Sequence, residues 1–194
     1  MKSGRVTTAF AWRGEWEHPR DWSGNGEYLL VDYNAYDETR NTRELRVLSM
    51  KTRKLEPYVS TRGQEAAFSP DTRFVAFSGT ETGRSEVYVT TFPERRQTWP
   101  VTSDGAHLIS WRADGKEILV ATVAGDIVAY PVAITGETVS IGAPQVLLPR
   151  VGFDARYVRA TRAHSRLVVR VPKGADKDKG EIRLLSGWQR NLPG

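Results

Sequence analysis

One pattern recurs along this chain: an aromatic residue, a small or polar residue, a turn, and then a β-rich run. It reads Trp22-Ser23-Gly24-Asn25-Gly26-Glu27-Tyr28-Leu29-Leu30, then Phe68-Ser69-Pro70-Asp71-Thr72-Arg73-Phe74-Val75-Ala76, then Trp111-Arg112-Ala113-Asp114-Gly115-Lys116-Glu117-Ile118-Leu119. The three aromatics are 46 and then 43 residues apart, and a weaker fourth copy, Val158 to Val168, lies 47 residues further on with its register open by one residue. A period of this length marks propellers and solenoids, in which no unit buries its own apolar faces and each must stack on the next.

Each unit reads as a strand ending at the aromatic, a tight turn, and a second strand running back antiparallel. Asn25-Gly26 and Asp114-Gly115 supply the positive φ angles that primed hairpin turns need, and Pro70-Asp71 presets a turn of another type. A third run follows in every unit, at Glu44 to Met50, Ser85 to Thr91, Asp126 to Val132 and Glu181 to Ser186, each alternating apolar and polar residues at period two. A shorter fourth run precedes the next unit at Glu56 to Val59, Gln97 to Val101 and Gln145 to Leu148. Four strands per unit is the blade of a β-propeller. The expectation is therefore an all-β chain of four antiparallel blades in a single domain, over about 18–60, 64–102, 107–149 and 154–188, with residues 4–10 adding a strand to the last. No segment has a helical period of useful length. The Gly-flanked charged run Lys173 to Gly180 predicts a mobile, solvated connection.

Composition narrows the chemistry. Among 194 residues there is no cysteine, which excludes disulfides, thiolate nucleophiles and Cys-ligated zinc. Residues 1–8 lack the apolar core of a signal peptide, so the chain as written carries no export signal and its compartment stays open. The longest apolar stretch, Ile118 to Ile134, is broken by Gly125-Asp126 and Pro131 and predicts two strands and a turn rather than a membrane span. The net charge of +5 comes from scattered cations, densest at Arg150, Arg156, Arg159, Arg162, Arg166 and Arg170. Such a group forms an anion patch only if several share one side of a sheet; the expectation is a solvated surface and no nucleic-acid partner.

Three histidines bound any catalytic reading. His18 and His107 each stand four residues before a repeat aromatic, Gln64 occupies that place in the second unit, and Asp154 about that place in the fourth. The position leads into the innermost strand of a blade, so the four side chains are candidates for a polar ring at a channel mouth, suited to a polar ligand or a metal. The plainer alternative is that they are strand-end residues facing water. His164 reads as an exposed turn residue. Paired acids such as Asp32 with Asp37, or Glu15 with Glu17, serve acid–base chemistry only if folded together. Gly83-Arg84-Ser85 is half a nucleophile elbow at the start of a strand, and no phosphate loop, His-Glu-x-x-His or Gly-x-Gly-x-x-Gly motif occurs. No cofactor is called for. Trp12, Trp16 and Trp99 are read as falling in segments between strands, where exposed tryptophan beside arginine marks an interaction surface, against the alternative that the rings fill gaps between blades.

Ala67-Phe68-Ser69-Pro70-Asp71, Ser85-Glu86-Val87-Tyr88-Val89 with Phe92-Pro93, and Trp111-Arg112-Ala113-Asp114-Gly115-Lys116-Glu117 resemble the WD-like repeats of TolB-type β-propellers. With the closing Leu184-Leu185-Ser186-Gly187-Trp188-Gln189, they resemble more narrowly the last four blades of the C-terminal propeller of bacterial serine/threonine kinases. Thr72 replaces the usual turn glycine, and the fourth unit lacks both its aromatic and its Asp-Gly. The resemblance implies a sensor, docking or scaffold module that recognises a protein or peptide through its channel-mouth loops; the competing class is a hydrolase or lyase using His18, Gln64, His107 and Asp154. Unpaired edges invite aggregation, so four blades need closing. Either Gly4 to Phe10 clasps the last blade, or two chains exchange strands to complete an eight-bladed homodimer, the closure favoured here because it asks for gentler angles between blades.

Overall fold

The structure is a computed structural model that describes residues 8, 11, 16–36, 41–61, 65–149, 158–161, 163–173 and 176–186. Every regular element among them is a strand, and the strands form four antiparallel sheets in chain order. Sheet I is β1 (Trp16–Trp22), β2 (Tyr28–Tyr36), β3 (Asn41–Ser49) and β4 (Leu55–Ser60), neighbours in that order. Sheet II is β5 (Ala66–Phe68), β6 (Phe74–Gly79), β7 (Glu86–Thr91) and β8 (Thr98–Pro100). Sheet III holds β9 (Ala106–Trp111), β10 (Glu117–Thr122) and the long β11 (Ile127–Thr135). The second half of β11 turns back as β12 (Thr138–Ile141), and its first half pairs with β13 (Gln145–Leu148). Sheet IV is β14 (Val158–Ala160), β15 (Arg166–Lys173) and β16 (Asp176–Ser186).

The sheets stack face to face because the second strands of the two inner sheets, β6 and β10, are apolar on both faces. Along β6, Val75 and Phe77 join Leu30, Leu45, Val59, Phe68 and Phe92 between sheets I and II, while Phe74 and Ala76 turn the other way. That second face packs with Val87, Val89, Leu108, Trp111, Ile118 and Val120 between sheets II and III. In β10, Leu119 and Ala121 then meet Val158, Leu167 and Val169 of sheet IV. A strand buried on both faces reads as a continuous apolar run, as Phe74 to Phe77 and Ile118 to Ala121 do. At the centre of the first interface the Phe92 ring takes Tyr28, Tyr58 and Phe68 edge-on at 4.9, 5.6 and 5.1 Å.

One hairpin design repeats four times, and it differs from the two-residue primed turns expected. Ser23, Ser69, Arg112 and Thr161 each donate a backbone N–H to the carbonyl five residues on, and each accepts one from the residue three on, namely Gly26, Thr72, Gly115 and His164. Those last four residues have φ of 74°, 61°, 77° and 51°, whereas Asn25 and Asp114 are not in the left-handed region. The side chains explain the difference: Asn25, Asp71 and Asp114 accept a backbone N–H two residues on, closing an Asx turn that needs only one positive φ. These bonds also set the register of the fourth unit. Its repeat-aromatic place is Ala160, 49 residues after Trp111 and two beyond Val158.

Two further expectations are corrected. The charged run after Lys173 is strand rather than loop on both sides of residues 174–175, because β15 and β16 extend the ladder to a Lys173–Asp176 pair past a register shift at Pro172. Trp99 lies within β8 instead of between strands, and its ring meets Phe74 edge-on at 6.1 Å in the interface between sheets II and III. Of the segment Gly4 to Phe10, only Thr8 is among the described residues, so a closing strand there lies outside them.

Candidate functional site where the first strands converge

The first strands of the sheets pack in succession, β1 on β5, β5 on β9 and β9 on β14. Their convergence encloses a cavity of about 410 Å3 walled by residues of all four, among them Arg20 and Trp22 of β1, Ala67 of β5, Ser110 of β9 and Arg159 of β14. Trp22 is 45% exposed although it begins a repeat hairpin, whereas its counterpart Trp111 is buried, its indole N–H donating to the Gly115 carbonyl at 3.1 Å. Interior packing does not account for the exposed part of the Trp22 ring.

Charges on the wall are held from behind. Arg20 Nη2 donates to the buried Asp32 carboxylate at 2.7 Å, and its Nε is buried with no hydrogen-bond partner among the described residues. Asp32 is thus engaged in an ion pair, and the acid paired with it by spacing, Asp37, lies outside the described residues. Asp21, one place before the repeat aromatic, accepts the N–H of Phe68 in the next sheet at 2.8 Å. Glu65 faces the cavity too, with its Oε2 3.7 Å from His107 Nδ1. Burial opposes ionisation of Glu65, but hydrogen bonds from His107 and Ser78 and the histidine charge outweigh it and hold the carboxyl below its usual range.

The candidates read from sequence are placed only in part among the described residues. His18 is exposed on β1 opposite Asp32, and His107 is half-buried on β9, 3.3 Å from Ser85 Oγ; neither lines the cavity. Gln64, Asp154 and Trp12 lie outside the described residues, and Trp16 is placed only as the first residue of β1. Among the described residues no three His, Asp or Glu side chains stand together as metal ligands do. Of the arginine group, Arg159 and Arg166 are exposed, Arg159 donating to its own Val158 carbonyl, while Arg150, Arg156 and Arg162 lie outside the described residues.

His164 contradicts its sequence reading most clearly. It is fully buried, because its turn directs the side chain across into sheet III. There Nδ1 is 2.7 Å from Glu117 Oε1 and Nε2 is 2.7 Å from Ser110 Oγ. Arg112 Nη1 binds the other Glu117 oxygen at 3.0 Å. The signal was present in the repeat: Glu117 occupies the place held by Tyr28 and Phe74 in the first two units, and a carboxylate at the start of an interior strand requires a partner.

No family model and no curated protein matches this sequence. Among solved structures it is similar to TolB from Acinetobacter baumannii, at 16% identity and a TM-score of 0.67, over 90% of this chain and 41% of that one. It is also similar to a TolB-type structure from Agrobacterium tumefaciens (17%, TM-score 0.66), over 89% of this chain and 58% of that one. A third likeness is the β-propeller domain of the Trilobed protease from Pyrococcus furiosus, described as having an open velcro topology (12%, TM-score 0.57, 88% and 53%). The chain thus spans about half the length of these structures, and at such identities the likeness is one of fold: all-β, with antiparallel sheets like those of TolB-like propellers.

Proposed function

We propose that this chain is a four-bladed TolB-like propeller module that binds a protein or peptide segment at the mouth of its central cavity. The observation that carries the reading is the cavity wall itself, which the half-exposed Trp22 shares with Arg20 and Arg159 where all four first strands meet. An aromatic sharing a cavity wall with the exposed Arg159, and with Arg20 held by Asp32, offers a stacking face and positive charge, a combination suited to an extended segment carrying a carboxylate and an aromatic or aliphatic side chain. Likeness to TolB-type structures supports a binding role, and the narrower kinase-propeller reading rests on the repeat motifs alone. Ring closure by a second copy completes the proposal, with the intrachain clasp as the alternative.

The test is selection from a random-peptide display library on the wild-type protein, followed by binding to Trp22→Ala and Arg159→Glu. Selected peptides should lose affinity at least roughly tenfold in both variants, about 1.4 kcal/mol. Peptides that bind both variants as they bind the parent would remove the cavity mouth as the site.

A further inference from the structure

We propose that Ser110 is a serine nucleophile activated by His164 and positioned by Glu117, able to cleave small carboxylic esters in the central cavity. The three side chains stand in the order acyl transfer requires: hydroxyl to Nε2 at 2.7 Å, then Nδ1 to carboxylate at 2.7 Å. Glu117 is ion-paired to Arg112 and accepts from Nδ1–H. That tautomer leaves the Nε2 lone pair to take the Ser110 proton. Ser110 opens onto the cavity, whereas His164 and Glu117 lie behind it.

Two observations separate this group from ordinary repeat packing. None of the three residues is what the repeat places there: Ser110 stands where Asp21 and Ala67 do, Glu117 where Tyr28 and Phe74 do, and His164 where Gly26, Thr72 and Gly115 do. The second observation is an oxyanion donor. Backbone N–H groups alternate sides along a strand, and since Arg112 donates toward β10, the Trp111 N–H points to the cavity side of β9. In sheet II the equivalent N–H, that of Phe68, is capped by Asp21; here Ala67, which has no side-chain acceptor, stands in the place of Asp21. A cavity-side N–H on the residue after the serine, without the carboxylate cap seen in sheet II, is where the negative oxygen of a tetrahedral adduct needs a donor.

The step balances within the site. Ser110 Oγ bonds to the ester carbonyl carbon as its proton passes to Nε2, and the carbonyl pair moves to oxygen beside the Trp111 N–H. When the pair returns, the C–O bond to the alcohol breaks and the leaving oxygen takes the proton from Nε2. Solvent water then attacks the acyl–serine, lending its proton to Nε2, and the acid departs as Oγ recovers a proton. None of this depends on the peptide-binding reading, which uses Trp22 and Arg159.

A fluorophosphonate probe on the folded wild-type protein, with the adduct located by mass spectrometry, tests the assignment. Ser110 should be labelled at least roughly 100-fold faster than the exposed Ser103, the scale of one general base. p-Nitrophenyl acetate turnover should vanish in Ser110→Ala. Glu117→Gln, at an unchanged melting temperature, should slow labelling, which a purely structural carboxylate would not. Were the histidine only a bridge between sheets III and IV, Ser110 would label no faster than Ser103, and that result on the unaltered protein overturns the proposal whether or not His164→Gln folds.

Discussion

At the residue scale, the four hairpins test how much a single left-handed position is worth. A Cβ added to Gly115, at φ 77°, would meet only the Pro70 ring within 4 Å, its nearest atom at 3.8 Å, so space is available and the backbone angle alone selects glycine. Gly115→Val should lower stability by about 1 kcal/mol or more, because a β-branched side chain is strained at positive φ. Thr72 is the natural counterpart, already β-branched at φ 61°, so Thr72→Gly should gain up to about 1 kcal/mol. Denaturant melts of the two variants should move in opposite directions, and equal midpoints would remove the turn argument. Residue types in these turns were legible from sequence. The geometry was not, because the Asx hydrogen bonds that leave Asn25 and Asp114 outside the left-handed region come from side-chain rotamers that composition does not specify.

At the scale of elements, the contacts between sheets carry the pH dependence. Glu65, just before β5, faces His107 on β9, and its carboxyl lies below the usual range in the folded chain. A folded pKa below the unfolded value means stability that is present above the unfolded pKa, near 4.5, and lost as pH falls through the lower folded one. Acid denaturation of the parent should therefore steepen below pH 4.5, while Glu65→Gln should flatten that limb and leave the neutral-pH cooperativity intact. An unchanged acid limb in Glu65→Gln would show the pair to be inert. Strand runs and their pairing into hairpins were readable from period-two alternation. The β12 hairpin and the continuation of β15 and β16 toward residues 174–175 were not, because Gly136 and a Gly-flanked charged run look like loops until a long partner strand supplies their hydrogen bonds.

For the whole molecule, the outer face of sheet IV bears on the proposed assembly. Its face toward sheet III buries Val158, Leu167 and Val169, whereas on the opposite face Val168, Leu184 and Ile182 are 40, 60 and 81% exposed. Val168 and Leu184 are direct cross-strand partners, so the exposed side chains form one apolar strip of the kind that each preceding sheet covers with the next. Light scattering should give twice 21.8 kDa, and Leu184→Asp should return the protein to a single-chain mass by burying a charge in that contact. Deleting residues 1–10 should abolish cooperative melting or cause aggregation if that segment closes the ring in either arrangement. A monomeric parent with an unaffected deletion variant would leave the strip without the proposed partner.

Repeat period, turn chemistry and alternation are local in the chain, so they were enough to specify strands, hairpins and a TolB-like all-β architecture. What lies across the interfaces depends on which residues of different units meet. Sequence reading placed His18, Gln64, His107 and Asp154 together by repeat position, yet β1 and β9 leave both described histidines off the cavity wall. It also left His164 in solvent, although the turn sends that side chain 54 residues back along the chain to Ser110. The out-of-place Glu117 signals that a partner is needed but not which one, because the contact is made by stacking one sheet on another and not by any spacing within either.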